Sequence, residues 1–347
     1  MIRRFRTLLA AVVVVATLFG PATPVRAHGP QRLTVATYNL YQGADLTGLL
    51  TAPTLPELVE RAGLTYQRMV DTDFPTRARA IARLLAKTRP DVLGLQEVAL
   101  WKKGPLGGPL QVSYDFLDIL LRELRGVGLH YRTAATVTMF TGTLPISATE
   151  QASFSDRNAL LIRDGLQASN PRSHLYEATV VVDTPAGITF DLPSGWIAVD
   201  VGATRHDRVR VATTHLEPSV PAVRDAQGRE LYAALAGSPY PVIVAGDLNS
   251  PPTDPTGPYG TFATGGYRDA WRVVNGVGGG FTATQDPDLR NLPSQLDERV
   301  DHVFHQPGRL WAVNADLVGE AVRDRTPTGL WPSDHAGLVV TFRRVGR

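Results

Sequence analysis

Residues 242–250 read VIVAGDLNS. A short β-branched run, suited to a buried strand, breaks off at Gly246, Asp247, Leu248 and Asn249. A carboxylate at the end of a buried strand costs free energy unless something pairs with it. Other segments end the same way. Residues 33–39 (LTVATYN) finish at Asn39, residues 91–97 (DVLGLQE) at Glu97, and residues 210–215 (RVATTH) at His215. Asp301 stands near the start of a strand at 300–304, just after Arg299, and Ser333, Asp334 and His335 precede a last strand at 337–342. Strand-terminal acids, amides and histidines directed to a common edge make a site, because loops on a rigid sheet hold function.

Between these strands the periodicity predicts helices. Residues 77–88 (RARAIARLLAKT) place Ile81, Leu84 and Leu85 on one stripe. Residues 114–125 (YDFLDILLRELR) have a clear apolar face, 222–236 reads as a helix, and 56–69 is loosely amphipathic. Further strands are expected at 131–138, 158–163, 178–182, 196–202 and 208–214. Gly- and Pro-rich loops are expected at 104–109, 251–260 and 275–280. Strands alternate with helices early and follow one another in the middle, the pattern of an α/β protein with mixed sheets. Nothing between the elements reads as a linker, so a single domain is expected over 28–347.

Residues 1–27 stand apart. Arg3, Arg4 and Arg6 precede an uncharged apolar stretch over 8–19, and Ala27 follows Val25 and Arg26. That is the layout of a secretory signal peptide cleaved near Ala27. The stretch is too short to span a bilayer, which takes about 20 residues, and no segment of the mature chain is long and apolar enough to do so. Export to the extracellular space is therefore expected. The 347 residues contain no cysteine, which excludes disulfides, thiolate ligands and cysteine nucleophiles. Any metal must be held by Asp, Glu, Asn or His. The formal net charge of +2 includes the four arginines of residues 1–27; without them 31 basic residues face 33 acidic ones. The basic excess usual in a nucleic-acid binder is missing, so the charge does not choose a substrate.

Six segments together resemble the endonuclease/exonuclease/phosphatase superfamily of metal-dependent phosphoesterases. They are ATYNL at 36–40, LQEV at 95–98, TTHLE at 213–217, GDLNS at 246–250, ERVDHVF at 298–304 and SDHAGL at 333–338. They occur in the family's order across nearly the whole mature chain. The resemblance implies a four-layer α/β/β/α sandwich of the deoxyribonuclease-I type, with the site at one edge of two mixed sheets. It also implies hydrolysis of a phosphate ester with a divalent ion, Mg²⁺ first and Mn²⁺ or Ca²⁺ as alternatives. Glu97 is then the principal metal ligand, with Asn39, Asp334 and Asp247 beside it.

His335 is expected to be the general base, since an imidazole takes a proton from water near neutrality, and the resemblance implies that Asp301 fixes its tautomer. Asp247 positions the nucleophilic water or touches the metal. Asn249 donates to a phosphate oxygen, and His215 contacts the phosphate or assists the leaving group. Asn158, in the segment Asp156-Arg157-Asn158, is expected to face substrate. Tyr41 and Trp331 are expected in the wall of the mouth, with Asp45 nearby, and His302 and His305 at the surface or a sheet edge.

The substrate stays open between nucleic acid and a phospholipid head group. The first calls for Arg and Lys along the cleft. The second calls for exposed apolar or aromatic loops, a part that Trp101 and Trp331 could play. A sphingomyelinase-like or inositol-phosphate phosphatase activity is the alternative. A non-catalytic binding module of the same fold is a further one, disfavoured because every expected site residue is present.

Overall fold

The structure, a computed structural model, describes residues 32–202 and 207–344. The expected leader over residues 1–27 lies outside them. Two mixed sheets pack face to face. In the larger, the central strands Arg32–Asn39 and Val92–Gln96 run parallel. Gly337–Arg344 pairs antiparallel with the first, and Glu150–Arg163 antiparallel with the second. In the smaller, Val209–His215 and Val242–Asp247 run parallel, flanked by the antiparallel strands Gly195–Val201 and Asp301–His305.

Period-two alternation builds four layers. Leu33 and Val35 of one sheet meet Val211, Ile243 and Val303 of the other in the central core. Ala36 and Tyr38, on the opposite face of the first strand, pack under the helices Phe74–Thr88 and Phe116–Gly126. Val242 and Val244 turn away from the central core toward Leu231, Leu235 and Phe262 of the helices Pro221–Ala236 and Pro258–Thr264. The order is helix, sheet, sheet, helix in one domain, as the resemblance implied.

Near the site the sheets approach closely. A Cβ on Gly94 would stand 2.6 Å from Thr213 Oγ1. Gln96 bridges the two sheets there: its Nε2 donates to Thr213 Oγ1 at 2.7 Å, and its Oε1 accepts from Thr37 at 3.1 Å.

Some elements differ from expectation. Ala168–Leu175 forms a strand at the edge of the smaller sheet although it contains Pro171, which an edge strand tolerates because one side of its backbone needs no partner. Leu310–Val318 is an edge strand with an irregular burial pattern, so its apolar alternation is weak. Pro258–Thr264 makes a helix that begins inside the expected loop at 251–260, with its proline in the first turn where no N–H is required.

Candidate active site

The direction of the strands explains the site. The parallel strands that end at Asn39, Gln96, His215 and Asp247 all end at one edge of the sandwich. The antiparallel strands Asp301–His305 and Gly337–Arg344 begin at that same edge. Asp247 is in register with both His215 and Asp301 on its two neighbouring strands. Residues far apart in sequence therefore share a small volume.

Asn39 is fully buried and joins the two sheets. Its Nδ2 donates to Glu97 Oε1 at 2.9 Å and to Asp247 Oδ2 at 3.2 Å, while its Oδ1 accepts from the Tyr41 amide at 3.0 Å. Glu97 Oε2 accepts from the Gln42 amide at 2.7 Å. Asp247 Oδ1 accepts from the Asn249 amide at 3.0 Å, and Asn249 Nδ2 donates to the Leu216 carbonyl at 2.8 Å. An amide nitrogen has two hydrogens, so Asn249 keeps one for another acceptor. Tyr41, Glu97 and Asn249 all have left-handed backbones, with φ of 55°, 51° and 47°. For residues other than glycine that conformation costs about 1–2 kcal/mol each. All three sit where a strand leaves the sheet and its polar groups must face the edge.

His335 Nδ1 lies 2.7 Å from Asp301 Oδ2 and 3.8 Å from Asp247 Oδ2. His215 Nε2 lies 3.7 Å from the same Asp247 oxygen. Burial disfavours the charged imidazolium of His335, but Asp301 and Asp334 outweigh it and hold the proton well above the usual histidine range. Burial acts likewise on His215, where Asp247 and Glu97 outweigh it and the net shift is also upward. For Asp247, burial favours the neutral acid, and the two histidines reverse that, so its carboxyl titrates below the usual range. Burial drives Asp334 up to about 7; His335 opposes the shift, and Glu97 adds to it by repulsion.

The donor set fits a hard divalent ion. Glu97 and Asp334 are close enough for Glu97 to push the Asp334 carboxyl upward, a repulsion that a cation between them would remove. Oxygen ligands of this kind suit Mg²⁺ and Ca²⁺. Asp247, Asp301 and His335 also present ligand atoms within 4.8 Å of one another. There the short bond between His335 and Asp301 already occupies one ring nitrogen.

A cavity of about 470 Å³ opens onto this edge and is lined in part by Glu97, Asp156, His215, Asp247, Asn249 and His335. Asn158 does not line it. Its side chain lies between the sheets and donates to the Gly195 carbonyl at 3.1 Å. Asp156, two residues along the same strand face, reaches the rim where the sheets part, and burial raises its carboxyl to about 6. The 156–158 segment thus supplies its polar group through Asp156.

Tyr41 and Trp331 do not form the wall; they pack with Leu289 and Leu330 in a separate buried cluster. His302 and His305 are buried rather than peripheral, with His302 Nε2 at 2.9 Å from the Ser250 carbonyl. Asp45 does line the cavity.

Arg77 is a residue the sequence reading passed over. It is fully buried and donates to the carbonyls of Thr72, Leu40, Tyr41 and Pro332. It thereby ties the helix beneath the larger sheet to the loops that carry Asn39 and Asp334. Burial lowers its guanidinium to about 10. The signal was present: Arg77 stands four residues before Ile81 on the apolar stripe, a position where a solvated arginine is out of place.

A two-sheet sandwich with acids, amides and paired histidines along one edge defines a class of phosphoesterase folds. The chain matches the endonuclease/exonuclease/phosphatase family over residues 36–335 and belongs to that family. Its fold is similar to that of a family protein from Bacteroides thetaiotaomicron (TM-score 0.59, 18% identity, 92% of this chain and 100% of the other). It is similar also to D. rerio TDP2 complexed with a single-strand DNA product (0.55, 17%, 90% and 99%). A third similar structure is a mannosyl-6-phosphatase from B. thetaiotaomicron (0.55, 17%, 89% and 99%). At these identities the likeness is one of fold. No curated protein matches the sequence.

Proposed function

We propose that this chain is a divalent-metal-dependent phosphoric ester hydrolase, exported behind a leader over residues 1–27, that splits P–O bonds with water activated by His335. The observation that carries this reading is the 2.7 Å contact between His335 Nδ1 and Asp301 at the head of the cavity. That contact fixes the ring with Nδ1–H toward Asp301; a divalent cation held by Glu97 and Asp334 would offset the carboxylates that raise the ring, and in its neutral form Nε2 takes a proton from water, as a carboxylate-oriented imidazole does in other hydrolases. The water oxygen forms the new bond to phosphorus as the bond to the leaving oxygen breaks. His215, held toward its protonated form, supplies a proton to that oxygen. The free hydrogen of the Asn249 amide suits a non-bridging phosphate oxygen. Asp247, between the two histidines, orients the attacking water.

Glu97, Asp334, Asn39 and Asp247 would hold Mg²⁺, with Mn²⁺ or Ca²⁺ as alternatives, and the ion would neutralise charge on the phosphoryl oxygens. Similar structures include one complexed with a single-strand DNA product and one named a mannosyl-6-phosphatase, which supports a phosphate-ester substrate. Hydrolysis of bis-p-nitrophenyl phosphate with Mg²⁺ and with excess EDTA tests the reading. Turnover should vanish in EDTA and return when Mg²⁺ is restored. Hydrolysis that persists without metal, or a chain inactive in both conditions, would refute it.

A further inference from the structure

We propose that the cavity beside the catalytic edge holds the hydrocarbon part of an amphiphilic phosphate ester, so that the substrate joins a phosphoryl head to an apolar tail. This rests on the hydrolase reading of the edge and adds the substrate class. The hairpin Val180–Asp183 and Thr189–Leu192 belongs to neither main sheet. Two short strands are marginally stable alone. Its side chains alternate so that Val180, Val182, Phe190 and Leu192 line the cavity, while Val181, Asp183, Thr189 and Asp191 face outward. Leu46, Leu49 and Leu50 form the facing wall, and Phe140 and Phe154 lie between.

A second cavity of about 60 Å³ shares Leu46, Leu49, Phe140, Phe154 and Phe190 with the first and is lined also by Trp101 and Ile146. Its only polar lining residue is Thr65. Apolar lining therefore extends from the site edge to a second, adjoining pocket, the usual build of a small-molecule site with a few polar groups at one end.

The charges favour the same substrate. Among the described residues no lysine or arginine lines the larger cavity. Arg157, next to Asp156, is turned away onto the Val98 carbonyl and Asp115. Glu217 and Asp45 are spent on backbone amides of their own loops. A polyanion would find no row of lysines or arginines among these residues to neutralise successive phosphates, whereas an alkyl tail gains from every methylene removed from water. Trp101 and Trp331 are both buried, so neither of these tryptophans is available as an exposed anchor beside the site.

Calorimetric titration of methyl-, butyl- and octylphosphonate in the presence of Mg²⁺ tests this without requiring turnover. Full burial is worth about fourfold in affinity per methylene, so octylphosphonate should bind at least roughly 10²-fold more tightly than methylphosphonate. Val182→Asp on the hairpin and Ala152→Leu in the inner cavity should each cut that octyl-to-methyl ratio by roughly tenfold, on the same transfer scale. A wild-type ratio near one, or a ratio that neither variant changes, overturns the proposal; Val182→Asp alone decides if Ala152→Leu does not fold. Co-sedimentation with phosphatidylcholine vesicles separates the sources. Saturable binding assigns a bilayer lipid and its absence a dissolved ester, and the octyl preference supports the slot in either case. Tail-dependent binding without hydrolysis of bis-p-nitrophenyl phosphate would remove the hydrolase reading and keep the slot. Hydrolysis with a flat ratio would do the reverse.

Discussion

His335 and Asp301 act as one unit because a single 2.7 Å contact sets the ring's tautomer and orientation. Either His335→Ala or Asp301→Ala should lower kcat/KM on bis-p-nitrophenyl phosphate by roughly 10²–10⁴-fold. The double variant should fall little further than the more damaging single one, since each substitution already disables the pair. Multiplicative losses in the double variant would show that the residues work separately. Asp301 Oδ1 is buried with no hydrogen-bond partner in the structure. The carboxylate thus offers His335 one well-placed oxygen, Oδ2. Asn39 matters at the same scale for a different reason: one buried amide group contacts carboxylates from both sheets and fixes their separation.

At the scale of the element, close approach of the two sheets aligns the strand ends. Gly94 makes that approach possible, with the Ala245 carbonyl 3.0 Å and Thr213 Oγ1 2.6 Å from where a Cβ would stand. Gly94→Ala must therefore push the sheets apart or displace Thr213, and the Gln96–Thr213 bridge with it. Overpacking of this kind costs roughly 1–3 kcal/mol, which chemical denaturation would register as a lower midpoint. Activity should fall in the folded variant as well, because Glu97 follows Gln96 directly. An unchanged midpoint would mean that the sheets have slack the geometry does not show. The helix Phe74–Thr88 exerts a second control through Arg77, whose four carbonyl acceptors include residues on both site loops.

Over the whole molecule, buried histidines link stability to pH. Burial pushes both His302 and His305 down to about 4. An unfolded histidine titrates near 6.5. Between those values the unfolded chain binds the extra protons, so stability is full above about pH 6.5 and is lost as pH falls toward 4. The loss is roughly 2–3 kcal/mol per histidine over that range. Burial shifts Asp156 and Asp334 upward, which adds stability as pH falls and opposes this trend. The informative quantity is therefore the difference between the wild type and His305→Phe. Urea denaturation at pH 7 and pH 5 should show a smaller drop for the variant; equal drops would mean that His305 does not titrate between the two states.

The sequence by itself determined the strands that carry the site and the polar residue that ends or precedes each one. Asn39, Glu97, His215, Asp247, Asp301 and His335 were legible because each interrupts an apolar run where burial forbids an unpaired polar group. The six ordered segments also fixed the family, and with it the four-layer fold. Tertiary structure decided what local pattern cannot encode. Asn158 and Asp156 share a strand face, and only the distance to the point where the sheets part puts one between them and the other at the rim. His302 and His305 read as peripheral because a polar residue in a short strand carries no mark of what covers it. Arg77 stands on the apolar stripe of its helix, but which carbonyls it binds was decided only when the loops packed onto it. The apolar slot is not written in any one segment, since its walls come from a hairpin, a one-turn helix and two phenylalanines that meet only after the chain has folded.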